Sequence, residues 1–241
     1  MPNLSTEAPA RSSFALRRLP LFDGLADARL ERLAQQCHWH HLANHQPLLH
    51  RCDAQRDVYF LLAGRLRVTT YSSGGRQVSF RDSVMGDWFG DIAAIDGEPR
   101  SADVVTLEPS TLASLDSAAF LALLQEEPLV AGRVMRHLAA LVRQLSQRVI
   151  ELSTLGVQNR LHAELLRMAR AAGVTDNRAR LDPSPLHEAL ANRISTHREQ
   201  VTRELTTLAR DGVVAKDGKA MVLRDVDRLA RMVADVRGSA G

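Results

Sequence analysis

The chain has 241 residues, of which 45% are hydrophobic and 24% charged, and its net charge is +3. This length predicts two domains with substantial cores rather than one. Because no apolar run approaches the roughly 18 residues that cross a bilayer, and no signal-peptide pattern is present, we expect a cytoplasmic protein without a membrane partner. The excess of basic residues lies in the C-terminal third, which is typical of a surface that contacts a polyanion.

Metal and catalytic chemistry find little support in the residue pattern. The two cysteines, Cys37 and Cys52, are too few for a disulfide scaffold or an iron–sulfur cluster, and we expect reduced, buried thiols. The same segment holds five histidines: His38, His40, His41, His45 and His50. Their spacing includes no Cys-x-x-Cys and no helical His pair with a carboxylate, so we expect no metal or haem site. No catalytic motif occurs, and we expect no enzyme activity.

The N-terminal half reads as short helices followed by strands. Residues 1–13 lack apolar periodicity and are expected to form a mobile tail. Leucine spacing from Phe14 to Gln36 predicts short helices, and alternating strands and turns continue to about Leu115. Among them we expect strands in Val58–Leu66 and Val78–Phe80, with a polar turn at Ser72–Gly75.

Helical periodicity replaces alternation at Ser117. Pro128 is expected to end a first helix, and a long helix is predicted from Leu129 to Gly156. Side chains at alternating steps of three and four form a heptad seam with one polar interruption, namely Leu138, Leu141, Leu145, Arg148, Leu152 and Leu155. This spacing predicts a parallel helix pair and a homodimer. The alternative is an apolar stripe that packs on the chain's own domain.

The segment FGDIAAIDGEPRSADV, which begins at residue 89, combines a helix start with an arginine. Gly90, Asp91 and Ile92 open a short helical turn, whose free backbone N–H groups suit an anion. Arg100 can hold two phosphate oxygens in a planar fork, and Ser101 adds a hydroxyl donor. Asp91 can accept a sugar hydroxyl. These residue types suit a ribose phosphate, whereas the alternative is ordinary turn chemistry.

This segment resembles the phosphate-binding cassette of the cyclic nucleotide-binding domain, in which a Gly-Glu-hydrophobic turn leads to Arg-Ser or Arg-Thr and then Ala. Ala102 fits that pattern, and the predicted strands upstream resemble the β-roll of the same domain. The resemblance covers about residues 15 to 125. It implies a cyclic nucleotide ligand held by Gly90, Asp91, Ile92, Arg100 and Ser101.

Two departures leave the nucleotide open. Asp91 stands where the family usually has glutamate, which is one methylene longer and reaches a ribose 2′-hydroxyl more easily. The family's long helix contributes hydroxyl side chains to the purine, a role that Ser146 can fill and Leu145 cannot. The resemblance therefore favours cAMP as effector, with cGMP or c-di-GMP as alternatives.

A second polar constellation lies in the C-terminal third. Leu186–Arg193 predicts a short helix, Ile194 and Ser195 a tight turn, and Thr196 the cap of a second helix that ends near residue 209. The second helix has an apolar face and a polar face. The side chains of the polar face, which are available to contact a DNA groove, are Thr196, His197, Arg198, Glu199, Thr202 and Arg203. Arginine can bond guanine O6 and N7 together, and glutamate can accept from a cytosine amino group. The alternative is a solvated surface helix.

A hairpin is predicted after this helix. Gly212–Leu223 contains two short apolar runs around Asp217-Gly218, with Lys216 and Lys219 flanking the tip of a wing that can contact phosphate. The order helix, turn, helix and wing resembles the winged helix-turn-helix of the cyclic AMP receptor protein and fumarate-nitrate regulator family of bacterial transcription regulators. The pattern S-x-x-R-E-x-V-x-R of that family is matched by Ser195, Arg198, Glu199, Val201 and Arg203. The resemblance implies that the arginines and the glutamate read bases.

We therefore expect an α+β chain with a jelly-roll-like β-roll effector domain over 14–128, a dimerisation helix over 129–156 and a winged helix-turn-helix over 157–241. The resemblance implies a homodimeric, ligand-controlled regulator that binds double-stranded promoter DNA and works with RNA polymerase. Ligand binding would favour the DNA-binding arrangement of the dimer. The alternatives are a regulatory subunit of an enzyme, and a haem-sensing, redox-sensing or effector-independent regulator of the same architecture.

Overall fold

The computed structural model describes residues 13–71 and 77–238, so nearly all of the predicted tail and the turn at Ser72–Gly75 lie outside the described residues. Packing divides the chain into two compact units. The first contains residues 13–70 and 80–140, and the second contains 71, 77–79 and 141–238. Within the described ranges, no helix combines the length and apolarity needed to span a membrane.

The first unit begins with short helices, continues as strands and ends with two helices. Its elements are α1 (Ser13–Arg17), a 3-10 turn (Pro20–Phe22), α2 (Asp27–Gln36), β1 (His38–Leu42), β2 (Pro47–Leu49), β3 (Val58–Ala63), β4 (Arg65–Tyr71), β5 (Gln77–Val84), β6 (Trp88–Phe89), α3 (Asp91–Asp96), β7 (Asp103–Thr106), β8 (Ser110–Leu115), α4 (Ser117–Glu126) and α5 (Pro128–Thr154). Two four-stranded sheets form, in the orders β1-β8-β3-β6 and β2-β7-β4-β5. The expected β-roll is confirmed.

Strand β3 explains how two cores share this unit. Successive strand residues point to opposite faces, so Val58 and Phe60 enter a core with α1, α2 and α4, while Tyr59 and Leu61 enter a core between the sheets. Phe60 meets the ring of Phe22 edge-on, with 5.0 Å between ring centroids. A strand buried on both faces needs the continuous apolar run that the sequence shows.

Helix α5 differs from the predicted helix at its start. Pro128 is the first residue of α5 rather than the end of the preceding helix, since α4 already ends at Glu126. A proline fits the first helical position because its missing N–H has no intrahelical partner there. Helix α5 runs from the first unit into the second and ends at Thr154.

The second unit consists of helices around a small sheet. Its elements are α6 (Val157–Ala172), β9 (Ala179–Leu181), α7 (His187–Arg193), α8 (Arg198–Arg210), β10 (Val214–Asp217), β11 (Ala220–Leu223) and α9 (Val226–Gly238). The sheet order is β10-β11-β9, so the predicted hairpin gains a third strand. Strand β9 has three residues, which is too short for a periodic signal.

The exposed apolar face of α5 shares Leu145 and Leu152 with the predicted seam. Val142, Leu145, Val149 and Leu152 are 42–63% exposed and follow one another at steps of three, four and three. Of the other predicted seam residues, Leu138 packs against the first unit's core, Leu155 is buried, and Leu141 and Arg148 are partly buried. The exposed stripe therefore keeps Leu145 and Leu152 of the predicted seam and has Val142 and Val149 beside Leu141 and Arg148, because periodicity alone does not say which side chains face the chain's own core. We call Val142, Leu145, Val149 and Leu152 the apolar stripe.

Candidate functional site

The turn between β6 and α3 depends on Gly90. This residue has φ = 89°, in the left-handed region, and it precedes the first residue of α3. A Cβ atom at this position would lie 2.6 Å from the Asp57 carbonyl oxygen and 2.6 Å from Arg100 Nη1. Both the backbone angle and the close approach of Arg100 therefore require glycine here.

Replacing Gly90 by alanine tests this close approach, and Gly97 provides a matched control. Gly97 also has a left-handed φ, of 75°, but a Cβ atom there would meet nothing within 4 Å. We expect Gly97→Ala to lower the free energy of unfolding by about 1–2 kcal/mol, the cost of the backbone angle. We expect Gly90→Ala to cost about 1–3 kcal/mol more, because the side chain or the backbone around it must move. Urea unfolding measures both, and equal costs would contradict the assigned clash.

Arg100 is held inside the cassette by backbone oxygens. Its side chain is buried, at 4% exposure; Nη1 donates to Gly90 O at 3.1 Å and Nη2 to Asp57 O at 2.7 Å. The guanidinium carbon lies 5.8 Å from the centre of the Tyr59 ring. Burial lowers the pKa of Arg100 against the opposing pull of Tyr59 and Asp57, yet an arginine stays protonated in proteins. A cation is thus fixed with N–H groups to spare.

Two polar atoms of the cassette lack hydrogen-bond partners among the described residues: Arg100 Nε and Asp91 Oδ2. Asp91 is 4% exposed and is the first residue of α3. Each buried polar group without a partner costs about 1–3 kcal/mol, and more if it is charged. A donor and an acceptor left open in one segment match a ligand that carries both an anionic oxygen and a hydroxyl group.

The structure brings together Gly90, Asp91 and Arg100 of the predicted nucleotide site. Ile92 and Ser101 are exposed beside them. Ser146 is exposed on the part of α5 that belongs to the second unit. Two of the groups that contact Arg100, the Asp57 carbonyl and the Tyr59 ring, were not predicted from the sequence. The Tyr59 ring is stacked on Phe89, with 5.5 Å between ring centroids. The aromatic position on β3 was the only available signal for them.

The two short helices of the second unit meet at a left-handed residue. Ser195 has φ = 55° and follows Ile194, whose side chain is buried. Helix α8 then begins at Arg198 with His197 as its N-cap. The predicted cap, Thr196, is wrong: Thr196 is buried, and its hydroxyl donates to Gln200. Threonine is a good cap by type, but the left-handed turn carries this one inward, away from a groove.

Helix α8 presents the other predicted DNA-reading side chains to solvent. Arg198, Glu199, Thr202 and Arg203 are exposed, whereas Val201, Leu205 and Leu208 are buried in the second unit's core. This is the two-faced pattern of a helix that packs on one side and is open on the other. The Thr202 hydroxyl donates to Arg198 O at 3.0 Å and also contacts His187 Nδ1 at 2.8 Å.

The wing tip carries the only lysines of the sequence, Lys216 and Lys219, and both are exposed. Between them, Asp217 forms an ion pair with Arg180 of β9. Because Asp217 is paired with Arg180, the two lysine ammonium groups are the positive charges at the tip. The sequence predicts that these ammonium groups contact phosphate.

Two known domain families match this chain. The cyclic nucleotide-binding domain family matches residues 39–127, and the Crp-like helix-turn-helix domain family matches residues 159–232. The chain belongs to the Crp-like regulators. The relatives in this family are transcription regulators and not enzymes, in agreement with the prediction from the sequence.

Relatives with established names cover most of the chain. A cyclic AMP receptor protein of Thermus thermophilus is 29% identical over 81% of this chain and 88% of its own. A CRP-like cAMP-activated global transcriptional regulator of Mycobacterium tuberculosis is 23% identical over 90% of this chain and 97% of its own. The solved c-di-GMP responsive regulator CLP of Xanthomonas campestris has a TM-score of 0.68 and 19% identity, over 82% of this chain and 99% of that one. At that identity the likeness shows a common fold.

Mutation can separate the side chains that are predicted to read bases from those that are predicted to contact phosphate. We expect Arg203→Ala and Glu199→Ala each to relax the preference at one half-site position by about 1–3 kcal/mol. Lys219→Ala should instead weaken all sequences alike and reduce the salt dependence of binding by about one unit. Selection from randomised DNA measures the preference, and an unchanged motif from Arg203→Ala would contradict groove reading by α8.

Both cysteines of the chain and several histidines lie in or near β1. Within the described ranges, no group of three or more His, Cys, Asp or Glu side chains is placed to hold an ion. His40 Nε2 lies 2.8 Å from Ser114 Oγ, and His41 Nδ1 lies 3.2 Å from Thr111 Oγ1, both on β8. Burial raises the pKa of Cys37 to about 12. Cys52 is exposed in the loop after β2, so the expectation of two buried thiols is wrong for it.

Proposed function

We propose that this chain is a homodimeric regulator whose binding to double-stranded promoter DNA is controlled by a cyclic nucleotide in the cassette. Residues 14–128 are the effector domain, 129–156 the dimerisation helix and 157–241 the DNA-binding domain. The regulator acts in the cytoplasm with RNA polymerase as a partner. The observation that carries the proposal is the pair of buried, unpartnered atoms in the cassette, Arg100 Nε and Asp91 Oδ2.

Each cassette residue has a distinct part in this proposal. Arg100 neutralises the cyclic phosphate with the N–H groups that its two carbonyl bonds leave over. Ser101 adds a hydroxyl donor, and the backbone at Gly90 and Ile92 lets the ligand approach α3 closely. Asp91 accepts the ribose 2′-hydroxyl. This division of roles places the anionic and hydroxyl ends of one ligand on the two groups that need partners.

The favoured effector is cAMP, with cGMP and c-di-GMP as alternatives. The relatives from Mycobacterium and Thermus are named for cAMP, and the structural neighbour CLP is named for c-di-GMP. In this proposal Ser146 contacts the purine. Leu145 belongs to the apolar stripe and is a packing residue, so only one hydroxyl side chain at this level of α5 is left to select adenine.

Control of DNA binding follows from differential affinity. A ligand shifts an equilibrium between two arrangements only by the difference between its affinities for them. Pairing of the apolar stripe with that of a second chain joins two copies of α8 into one DNA-binding unit. Nucleotide bound in the cassette then favours the arrangement in which both recognition helices enter successive major grooves.

Calorimetry against cAMP, cGMP, c-di-GMP and 2′-deoxy-cAMP tests the proposal, with Asp96→Asn as a control for Asp91→Asn. Both aspartates lie on α3, but Asp96 is exposed. We expect one of the three ribose nucleotides to bind, and Asp91→Asn to weaken it about tenfold, because a charge-assisted hydrogen bond is lost.

The 2′-deoxy ligand isolates the sugar contact. It should bind wild type and Asp91→Asn with the same affinity, whereas Asp96→Asn should match wild type for every ligand. An Asp91→Asn variant that loses as much affinity for 2′-deoxy-cAMP as for cAMP would remove Asp91 from the sugar contact. Absence of binding by all three nucleotides would overturn the proposed effector class.

A further inference from the structure

A continuous chain of ion pairs crosses the helices of the second unit. Glu151 on α5 accepts from Arg167 Nη1, with N–O distances of 3.0 and 2.9 Å. Arg167 Nη2 on α6 donates to Glu164 Oε2 at 2.7 Å. Arg193, the last residue of α7, donates from Nη1 to Glu164 Oε1 at 3.1 Å. We call Glu151, Arg167, Glu164 and Arg193 the ion-pair chain.

The two carboxylates of the ion-pair chain are buried, so the neighbouring arginines are needed to compensate their negative charge. Glu151 and Glu164 are both 4% exposed. Burial acts to raise the pKa of Glu164, but Arg167 and Arg193 outweigh it and hold that pKa below its usual range. A buried carboxylate that stays charged binds its partners in a restricted geometry, because any displacement leaves the charge uncompensated.

A separate contact joins the same helices. Arg160 on α6 donates from Nη1 to Leu155 O at 2.9 Å and from Nε to Ile194 O at 3.0 Å. Leu155 directly follows α5, and Ile194 directly follows α7. Two independent sets of polar contacts therefore run from the end of α5, through α6, to the residues just before the left-handed Ser195 and helix α8.

Stability alone does not explain this arrangement. Leucine and valine side chains of α6, α7, α8 and the sheet already form a common core in this unit. Ion pairs of this kind are often no more stabilising than apolar residues of the same volume, whereas they fix one orientation. Their position, at the junction of α5 with α7, points to a role in orientation.

We propose that the ion-pair chain positions recognition helix α8 relative to the end of α5, with Arg193 as its last link. The proposal rests on DNA reading by α8 but not on the identity of the effector. Removing either end of the ion-pair chain should loosen α7 and α8 and weaken DNA binding, while the cassette remains as it is.

The test compares Arg193→Gln and Glu151→Gln with Glu127→Gln. The control breaks a partly buried pair of the first unit, in which Arg29 Nε donates to Glu127 Oε1 at 3.1 Å. DNA affinity by fluorescence anisotropy, hydrogen exchange of the amides of α7 and α8, and the urea midpoint are measured on the full-length chain. We expect Arg193→Gln and Glu151→Gln each to lose about tenfold in DNA affinity and to exchange faster at α7 and α8, and the urea midpoint shows that both variants remain folded under the conditions of the binding assay.

Arg193→Lys is the conservative variant. It keeps the charge and one hydrogen bond, so it should recover part of the affinity that Arg193→Gln loses. Wild-type exchange at α7 and α8 in Glu151→Gln would overturn the proposal, as would an equal loss in Glu127→Gln. A wild-type chain that binds no DNA defeats the proposed function instead, and the exchange comparison still decides whether the ion-pair chain orders these helices.

Discussion

Arg100→Gln is expected to lower the affinity for the cyclic nucleotide at least about 100-fold. The substitution removes the buried cation and at least two charge-assisted hydrogen bonds, each of which contributes about 1.5–3 kcal/mol, and every 1.4 kcal/mol is about tenfold in affinity. Arg100→Lys retains the charge but not the planar fork, so its affinity should lie between those of Arg100→Gln and wild type. Calorimetry with the nucleotide that binds wild type measures all three.

Arg81→Gln is the control for Arg100→Gln. Arg81 is partly buried and donates from Nη2 to Trp88 O at 3.0 Å, so its loss also leaves a backbone oxygen without its arginine. We expect that variant to bind nucleotide as wild type does. Because Arg100→Gln also leaves the Gly90 and Asp57 carbonyls without their donors, urea unfolding must show that the chain is folded. An unchanged affinity in folded Arg100→Gln would contradict the assignment of the cassette.

The double substitution Val142→Asp and Val149→Asp is expected to convert a dimer into a monomer. It places two carboxylates of each chain in an apolar seam, where an uncompensated buried charge costs about 3–5 kcal/mol. The dimer dissociation constant should therefore rise more than about 1000-fold, which sedimentation velocity at micromolar concentration detects. DNA affinity should fall with it, because two half-sites are no longer bound together.

Ile150 provides the control for the seam. It is as exposed as the residues of the apolar stripe but lies off it, so Ile150→Asp should leave the dimer intact. The alternative seam of the sequence analysis is tested in the same experiment by Leu141→Asp, which changes a partly buried residue. A dimer that survives the Val142 and Val149 substitutions would place the interface elsewhere.

The cassette could be predicted from sequence because its requirements fall on particular residue types. Only glycine accepts the backbone angle and the close contact at Gly90, and only arginine offers a fixed fork of donors at Arg100. The partners of Arg100 could not be predicted, since the main contribution of Asp57 is a backbone oxygen, which every residue has. The β-roll could be predicted for a similar reason, because strands buried on both faces need continuous apolar runs such as that of β3.

The sequence-based predictions were least reliable in segments whose sequence fits two structures equally well. The long helix carries two neighbouring apolar stripes, and the choice between Leu141 and Val142 depends on what the rest of the chain covers. Thr196 has the chemistry of a cap, but the positive φ of Ser195 moves the start of α8 to Arg198. Glu151 and Glu164 carry no sequence signal of their burial, which depends on the contacts that the fold brings to them.

The dependence of DNA affinity on nucleotide is the most direct test of ligand control. Fluorescence anisotropy on a two-fold symmetric site, selected from randomised DNA, gives the dissociation constant with and without saturating cAMP, cGMP or c-di-GMP. With one of these nucleotides, wild type is expected to bind at least about tenfold more tightly, and Arg100→Gln is expected to bind equally in both conditions. Equal wild-type affinities in the presence and absence of every nucleotide would contradict ligand control through the cassette.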